Sequence, residues 1–485
     1  MNRLGLYAYA FRAARARQLA ARVVRPVARR RFPAVPTRAA FRPVDDAAPF
    51  WRSPAFAQAD AVAGVGAVDL LGKAVEFPPS DWSLPGEPRL RRFHLHYADE
   101  VLGWARRGGE ESARSSIRSW RASNPPKRGD AWHPYVVSRR IGNWVAAASL
   151  LPALLDDAAV ESLSRQARFL ARNVEDDVLG NHVIANARAL VLAGCALDDR
   201  ALLRRGVDLL RREVADQVLG DGGHYERSPL YHLLVLRDLL EVRLAAGVAW
   251  LDEPIRRMEM FAAALMRPDG LPAPFNDALL ELAPTLELPE PAAGVTVFEE
   301  TGYTVVRDEG TWLAFDCGSP APPFLPAHAH ADVLSFQLWH DGLPVVVDPG
   351  SSTYEAGPQR DRERSTAAHS TVTVDGRDQF ALWGAFRSGP LPRVEMIGPL
   401  EAEVSYQDVL HRRRIEVRAD IVVSDEVRGG RSVEARLPLS TTFDLAADAW
   451  ETGSEAQSFG VRRGIPVAVR RGRTGEWRIR RAANL

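Results

Sequence analysis

Residues Pro289–Glu300, "PEPAAGVTVFEE", mark the point where the chain changes its hydrophobic period. N-terminal to this stretch, apolar residues recur at i, i+3, i+4 and i+7, the spacing of one face of a helix. C-terminal to it they alternate, the spacing of one face of a strand. Five segments between Tyr135 and Met266 carry the helical period: "SRRIGNWVAAASLLPALL", "AVESLSRQARFLARNVEDDV", "NHVIANARALVLAGCAL", "ALLRRGVDLLRREVADQV" and "SPLYHLLVLRDLLEVRLAAG". Their connections are short and hold Gly, Asp or Asn, so successive helices are antiparallel neighbours in a bundle, a solenoid or a closed toroid. After the switch, "VTVFEE", "YTVVRD", "TWLAFDCG", "LSFQLW", "LPVVVDPG", "STVTVDG", "RRRIEVRADIVVSDEV" and "VEARLPLS" are strand-like runs separated by turn residues at sandwich spacing. The expected fold is therefore multidomain α + β: an all-helical domain over residues 45–288, then an antiparallel β-sandwich over 289–485.

Composition narrows the function classes. A chain of 485 residues exceeds one ordinary domain, and 46% hydrophobic with 26% charged residues describes a globular protein with ample core. The 62 basic and 62 acidic residues cancel, so no global field draws the chain to nucleic acid. Two cysteines, Cys195 and Cys317, suffice for neither a disulfide framework nor a thiolate metal cluster. Residues 1–44 hold eleven Arg and no acidic residue, which reads as a basic arm or an amphipathic surface helix. Arg interrupts every apolar stretch of that opening, so no signal peptide is read and the expected compartment is the cytoplasm. No run is long and apolar enough for a transmembrane span.

Four polar clusters break the local apolar pattern. Asn181 and His182 open the third helical segment; capping accounts for Asn181 alone, whereas His182 and Asn186, four residues apart, share a helix face. "DGGHYERSPLYH", Asp221–His232, combines a turn and a Ser228-Pro229 helix start with His224, Tyr225, Glu226, Tyr231 and His232. "HAHAD", His328–Asp332, would present His328, His330 and Asp332 on one face if extended. Asp348 and His369 flank later strands and, with His330, supply the two imidazoles and carboxylate that zinc favours. Their spacing is that of neither a compact finger nor an HExxH helix, and a polar network between sheet and helices accounts for them equally. No phosphate-binding Gly loop, GxSxG elbow or kinase signature occurs.

In order along residues 82–375, "PGEPRLRRFHLHY", "SRRIGNW", "GNHVIANARALVLAG", "DGGHYERSPLYHLLVLRDLL", "HAHADVLSFQLWHDGLPVVVDPG" and "HSTVTVDG" resemble the heparinase II/III-like polysaccharide lyases. The resemblance implies an incomplete (α/α) toroid followed by the sandwich, and β-elimination of a uronic-acid polysaccharide. It implies Asn181 as the group that neutralises the uronate carboxylate, with His182 beside it, and Tyr231 and His328 as proton-transfer groups. It also implies His330, Asp348 and His369 as ligands of a structural zinc. Arg91 and His94 stand where relatives often carry an aromatic residue and an Asn, so sugar contacts there differ. Arg140, Trp132, Trp144, His224, Tyr225 and Glu226 are candidate sugar or carboxylate contacts, because Arg forks pair with carboxylates and aromatic faces stack on sugars; for Trp144 a place in the helical core is an equal expectation. Members of the family are usually exported, and the Arg-rich opening resembles that of relatives connected with surface-polysaccharide assembly. The competing readings are a glycoside hydrolase, which needs two carboxylates across the cleft from among Asp221, Glu226 and Asp332, and a non-catalytic glycan-binding protein, which would lack Asn181, Tyr231 or His328.

Overall fold

The computed structural model describes residues 2–28, 40–56, 66–127, 129–308, 310–418, 420–441 and 447–480. Its helical part runs through Asp99–Arg106, Glu110–Ser123, Pro134–Leu150, Asp157–Arg172, Asn181–Ala196, Arg200–Gln217, Pro229–Ala246 and Asp252–Leu265. Asn181–Ala196 is apolar almost all round and is buried almost all round, packed against Pro134–Leu150, Arg200–Gln217 and Pro229–Ala246. Two glycines set one of those contacts. A Cβ on Gly194 would lie 2.5 Å from the Leu203 backbone N, and one on Gly206 would lie 2.7 Å from the Val191 backbone N. Those helices meet backbone to backbone, and alanine at either place would force them apart.

Charge is also buried in this toroid. Asp238 faces Arg139 at 3.4 Å, Arg237 at 3.5 Å and Arg188 at 3.6 Å, while Arg188 also pairs with Glu241. Trp51 Nε1 donates to the other Glu241 oxygen at 2.6 Å. Trp144 lies in the helical core, edge-on to Trp120 at 5.7 Å.

The β part begins at Gly294. Strands Gly294–Phe298, Tyr303–Asp308, Thr311–Asp316, Phe336–His340 and Leu343–Val346 form an antiparallel sheet in chain order. A bridge from Val346 to Leu439 leads into a second sheet, ordered Ala449–Ser458, Val461–Arg471, Val433–Pro438, Val372–Val374. The facing sheet is ordered Thr474–Arg480, Asp420–Arg428, Val409–Val417, Glu401–Tyr406, Arg393–Gly398. Leu313, Phe336, Val372, Val404, Val423 and Trp477 fill the space between the layers. The chain is thus an incomplete (α/α) toroid followed by an antiparallel β-sandwich, as its change of period and its resemblance imply.

Three expectations need correction. Asn181 is the first helical residue, and Gly180 occupies the cap position. Residues 328–332 form an irregular loop rather than an extended run, and from it His328 and His330 both reach Asp277. Cys317 is buried but Cys195 is only half-buried; both are free thiols. The sequence analysis also assigned no strand to 393–406 or 449–480, where four of the five strands carry charged residues on exposed faces or edges.

The basic opening forms two helices, Arg3–Ala13 and Ala16–Ala28, of the expected 1–44 arm; residues 29–39 lie outside the described ones. Arg17 pairs with Glu213 at 2.7 Å and Asp216 at 3.0 Å on the toroid, while Gln18 Nε2 donates to the Phe324 carbonyl at 3.2 Å on the sandwich side. Among the described residues no helix is long and apolar enough to cross a membrane.

Candidate active site

A cleft of about 620 Å³ opens between the mouth of the toroid and the loops of the sandwich, a size suited to a small ligand or a few sugar rings. Asn181, His182, Glu226, Tyr231 and His328 all line it. Each arrives by a local device. Leu179 at φ 72° and Gly180 at φ 64° turn the chain into the helix that begins at Asn181. Glycine is required at 180, because a Cβ there would lie 2.3 Å from Glu226 Oε1. Ser228 Oγ caps the next inward helix by accepting from the Tyr231 N–H at 3.3 Å, which sets Tyr231 in its first turn at the cleft.

Glu226 ties the two sides together. Its Oε1 accepts the Asn181 backbone N–H at 2.7 Å, and its Oε2 lies 3.2 Å from His328 Nε2. The other imidazole nitrogen, His328 Nδ1, meets Asp277 Oδ2 at 2.9 Å. The His328 ring stacks on Tyr231 with centroids 4.0 Å apart, and the Tyr231 hydroxyl reaches Tyr354 Oη at 3.3 Å. Burial, then the neighbouring Tyr354 and Asp277, push the Tyr231 phenol well above its ordinary range, so it rests protonated. The Asn181 side-chain amide has no hydrogen-bond partner among the described residues and borders the cleft. His182 Nδ1 lies 3.3 Å from Glu175 Oε1, and its ring lies against Tyr135 at 4.4 Å.

Asp277 is the hub behind the site. Its carboxylate meets His328 Nδ1 at 2.9 Å and His330 Nε2 at 3.0 Å, and Arg360 grips both of its oxygens. Burial alone would raise this carboxyl, but Arg360 with the two imidazole contacts outweighs it and holds the group well below the usual range.

Deeper in the sandwich, ligand atoms of His330, Asp332 and His369 gather within 4.8 Å of one another. All three side chains are buried, and His330 Nδ1, His369 Nε2 and both Asp332 oxygens have no hydrogen-bond partner. The second nitrogen of each imidazole is held by a carboxylate: His330 Nε2 by Asp277, and His369 Nδ1 by Asp348 at 2.9 Å. Burial raises the Asp332 carboxyl to about 7. Imidazoles fixed from behind by carboxylates, with unpartnered donors pointing together, fit a divalent metal of zinc type. The expected set is thereby revised. Asp332 stands among the gathered atoms, and Asp348 stands one hydrogen bond behind His369.

Several expected substrate contacts lie elsewhere. Arg140 is buried, donating to Gln166 at 2.8 Å and the His96 carbonyl at 3.0 Å, with its guanidinium over Trp120. One residue along a helix turns a side chain about 100°, and it is Arg139 that borders the cleft. Trp132 is buried with Nε1 on the Asn124 carbonyl at 3.2 Å. His224 is buried against Gln217 at 2.9 Å, and the Tyr225 hydroxyl accepts the Gly180 N–H at 3.0 Å. Neither Trp132, His224 nor Tyr225 lines the cleft; the two latter brace the loops that do. His232 is buried against the Met258 carbonyl, Asn186 holds the Glu175 backbone N–H, and Asp221 holds Thr301. Sequence reasoning missed Asp277, Tyr354, Arg360 and Tyr135. Asp277 lies in "PAPFNDALL", which carries no periodicity to make a polar residue stand out.

Comparison with known proteins gives the family and the fold. The Heparinase II/III N-terminus family matches residues 90–287, and the Heparinase II/III-like, C-terminal family matches residues 290–484. A "Heparin-sulfate lyase" of Bacteroides stercoris is 26% identical over 360 residues, covering 62% of this chain and 52% of that protein. The "FtsZ-localized protein C" of Caulobacter vibrioides is 27% identical over 401 residues, covering 75% of this chain and 66% of that protein. The chain spans roughly half to two-thirds of the length of these curated relatives. A crystal structure of heparinase III superposes with a TM-score of 0.69 at 17% identity, covering 95% of this chain and 88% of that one. The chondroitin AC lyase of Streptomyces coelicolor A3, in complex with chondroitin sulphate, gives 0.53 at 13% identity, covering 95% and 83%. These structures share the fold. With family matches running through both the helical and the sandwich part, this chain belongs to the heparinase II/III-like family.

Proposed function

We propose that the protein is a polysaccharide lyase that cleaves a uronic-acid-containing glycan by β-elimination in the cleft between toroid and sandwich. The observation that carries this reading is the convergence of an unpartnered amide (Asn181), a protonated phenol (Tyr231) and a carboxylate-flanked imidazole (His328) on one cavity.

The C5 hydrogen of a uronate is very weakly acidic while the neighbouring carboxylate keeps its charge. The Asn181 amide hydrogen-bonds that carboxylate and stabilises the charge that builds on it as C5 loses its proton. Tyr231 and His328 move the protons. Held protonated by burial, the Tyr231 hydroxyl delivers a proton to the departing O4, and the His328 ring, stacked 4.0 Å away, takes the proton from C5. Asp277 accepts from Nδ1, which fixes the ring plane and leaves Nε2 as the nitrogen that takes the C5 proton; Glu226, 3.2 Å from Nε2, then faces the imidazolium so formed. A hydrolase would need two carboxylates free to act across the cleft. Of the candidate carboxylates, Asp332 is buried away from the cleft and Asp221 holds Thr301. The three that line the cleft are engaged, Glu226 with Asn181 and His328, Asp99 with Asn143 at 2.7 Å and Glu355 with the Arg89 N–H at 2.8 Å, so the geometry favours elimination.

His330, Asp332 and His369 would hold a divalent metal, whose charge supplies local structural cohesion in the sandwich loops. The reading is tested by incubating the protein with uronate polysaccharides and following the ultraviolet absorbance of the C4=C5 unsaturated uronate. A rise is expected; new reducing ends without absorbance would identify hydrolysis instead. The metal reading is tested separately by elemental analysis. Bound zinc is expected in the wild type and lost in His369→Ala, with a lower thermal midpoint in the variant and after chelation. Zinc retained in the variant would rule out this ligand set.

A further inference from the structure

We infer that the cleft is built for an unsulfated uronate glycan, so that sulfate groups on the polymer weaken its binding. The inference rests on the lyase reading for the identity of the uronate and on the charges of the cleft for the exclusion of sulfate.

Sulfated glycosaminoglycans are recognised by arginines and lysines with guanidinium or ammonium groups to spare, since each sulfate carries a permanent charge. The chain has two lysines, Lys73 and Lys127, and neither borders the cleft. Three arginines do border it, Arg89, Arg139 and Arg237, and each already serves a carboxylate or a ring. Arg139 and Arg237 share Asp238 at 3.4 and 3.5 Å. Arg89 lies over the Phe93 ring and 3.5 Å from Asp130. Against these three stand three carboxylates of the cleft itself, Asp99, Glu226 and Glu355. The arginines and carboxylates of the cavity therefore balance, three against three. His94 adds no positive charge, because burial, with Arg139 nearby, lowers its imidazole to about 4 despite Asp99. The remaining wall is largely aromatic: Phe93, Tyr97, Tyr135, Tyr354 and Phe386 present ring surface and neutral hydroxyls, which suit sugar faces and hydroxyls. One neutral amide, Asn181, is left to meet one carboxylate. A sulfate entering this cleft would lose its water, would find both buried arginines already taken by Asp238 and only the half-exposed Arg89 to meet it, and would face Glu226 or Glu355.

The test compares heparosan, an unsulfated uronate polymer, with chemically sulfated heparosan of the same backbone, and adds unsulfated chondroitin against chondroitin sulfate. Elimination is followed by absorbance, and binding of oligosaccharides from each polymer to the Tyr231→Phe variant is followed by calorimetry. At least one unsulfated polymer is expected to exceed its sulfated counterpart by about tenfold or more in kcat/KM and in affinity, the effect of roughly one unpaired charge. Its binding should change little with added salt, because little counterion release is involved. Glu355→Arg is expected to narrow the gap by improving binding of the sulfated oligosaccharides. Equal or tighter binding of the sulfated member, or no binding of any unsulfated oligosaccharide, overturns the inference. Unsulfated-selective binding with no absorbance change keeps the inference and removes the lyase reading.

Discussion

Tyr231→Phe is expected to lower kcat by on the order of 10²–10⁴-fold, the usual contribution of one positioned proton-transfer group, while leaving KM nearly unchanged. The substitution keeps the ring, and with it the stack on His328 and the packing of the helix start. What disappears is the hydroxyl that meets Tyr354 at 3.3 Å and that burial keeps protonated. Ground-state contacts with the sugar are therefore retained while the leaving O4 loses its acid, so the loss falls on the transition state. Steady-state absorbance kinetics and oligosaccharide binding separate the two. Retention of wild-type kcat would show that another group, with Tyr354 the nearest phenol, protonates O4. Tyr354→Phe should cost far less, because its hydroxyl supports Tyr231 rather than occupying the same place.

Asp277→Asn is expected to destabilise the protein by about 3–5 kcal/mol, the range for breaking one side of a buried ion pair, and to abolish activity together with metal binding. Asp277 is fully buried, and so is Arg360, which grips both of its oxygens. Asparagine leaves that guanidinium charged, desolvated and uncompensated. It also turns one acceptor of the His328 and His330 contacts into a donor, which disturbs the proposed proton-transfer ring and the proposed metal-ligand ring together. The double variant Asp277→Asn/Arg360→Met separates the causes. With the orphaned charge gone, denaturant stability should recover in large part, whereas activity should not, since the neutral amide keeps one acceptor for two imidazoles and no carboxylate charge behind His328. Recovery of both would reduce Asp277 to a charge partner of Arg360, and recovery of neither would place its main role in the fold.

How much of this was legible in the sequence depends on how each residue is held. Asn181, His182, Tyr231 and His328 announce themselves because they interrupt strong local patterns: two at a helix mouth, one after a Ser-Pro start, one in a His-rich loop. Each borders the cleft. The contacts drawn from residue type alone fared differently. Arg140 and Trp132 have the chemistry that binds sugars, yet both are buried, and Arg139, one residue earlier, takes the place at the cleft. His224 and Tyr225 belong to the right loop but face its inside, where they hold Gln217 and the Gly180 N–H. Asp277 lies in an irregular segment and Arg360 in the short, highly charged helix Pro358–Arg364, so neither has an apolar period to break, and nothing local distinguishes them from surface polar residues.

The sequence by itself determined the order and type of most elements between Tyr135 and Ser440 and where the period changes near Pro289. Periodicity is a local property, set by which side chains must share one face of a helix or strand. It also determined which helix starts and loops carry surplus polar groups. Only the tertiary structure decided which face of a helix meets the cleft, which carboxylate stands behind each imidazole, and whether Asp332 or Asp348 joins the metal-site cluster. It alone showed that the arginines at the cleft already serve Asp238 and Asp130. Most of those outcomes depend on contacts between residues 21 to 99 positions apart, as in His369 with Asp348, His328 with Asp277 and Arg139 with Asp238. Packing selects such partners from many chemically equivalent candidates, and no local pattern encodes that choice.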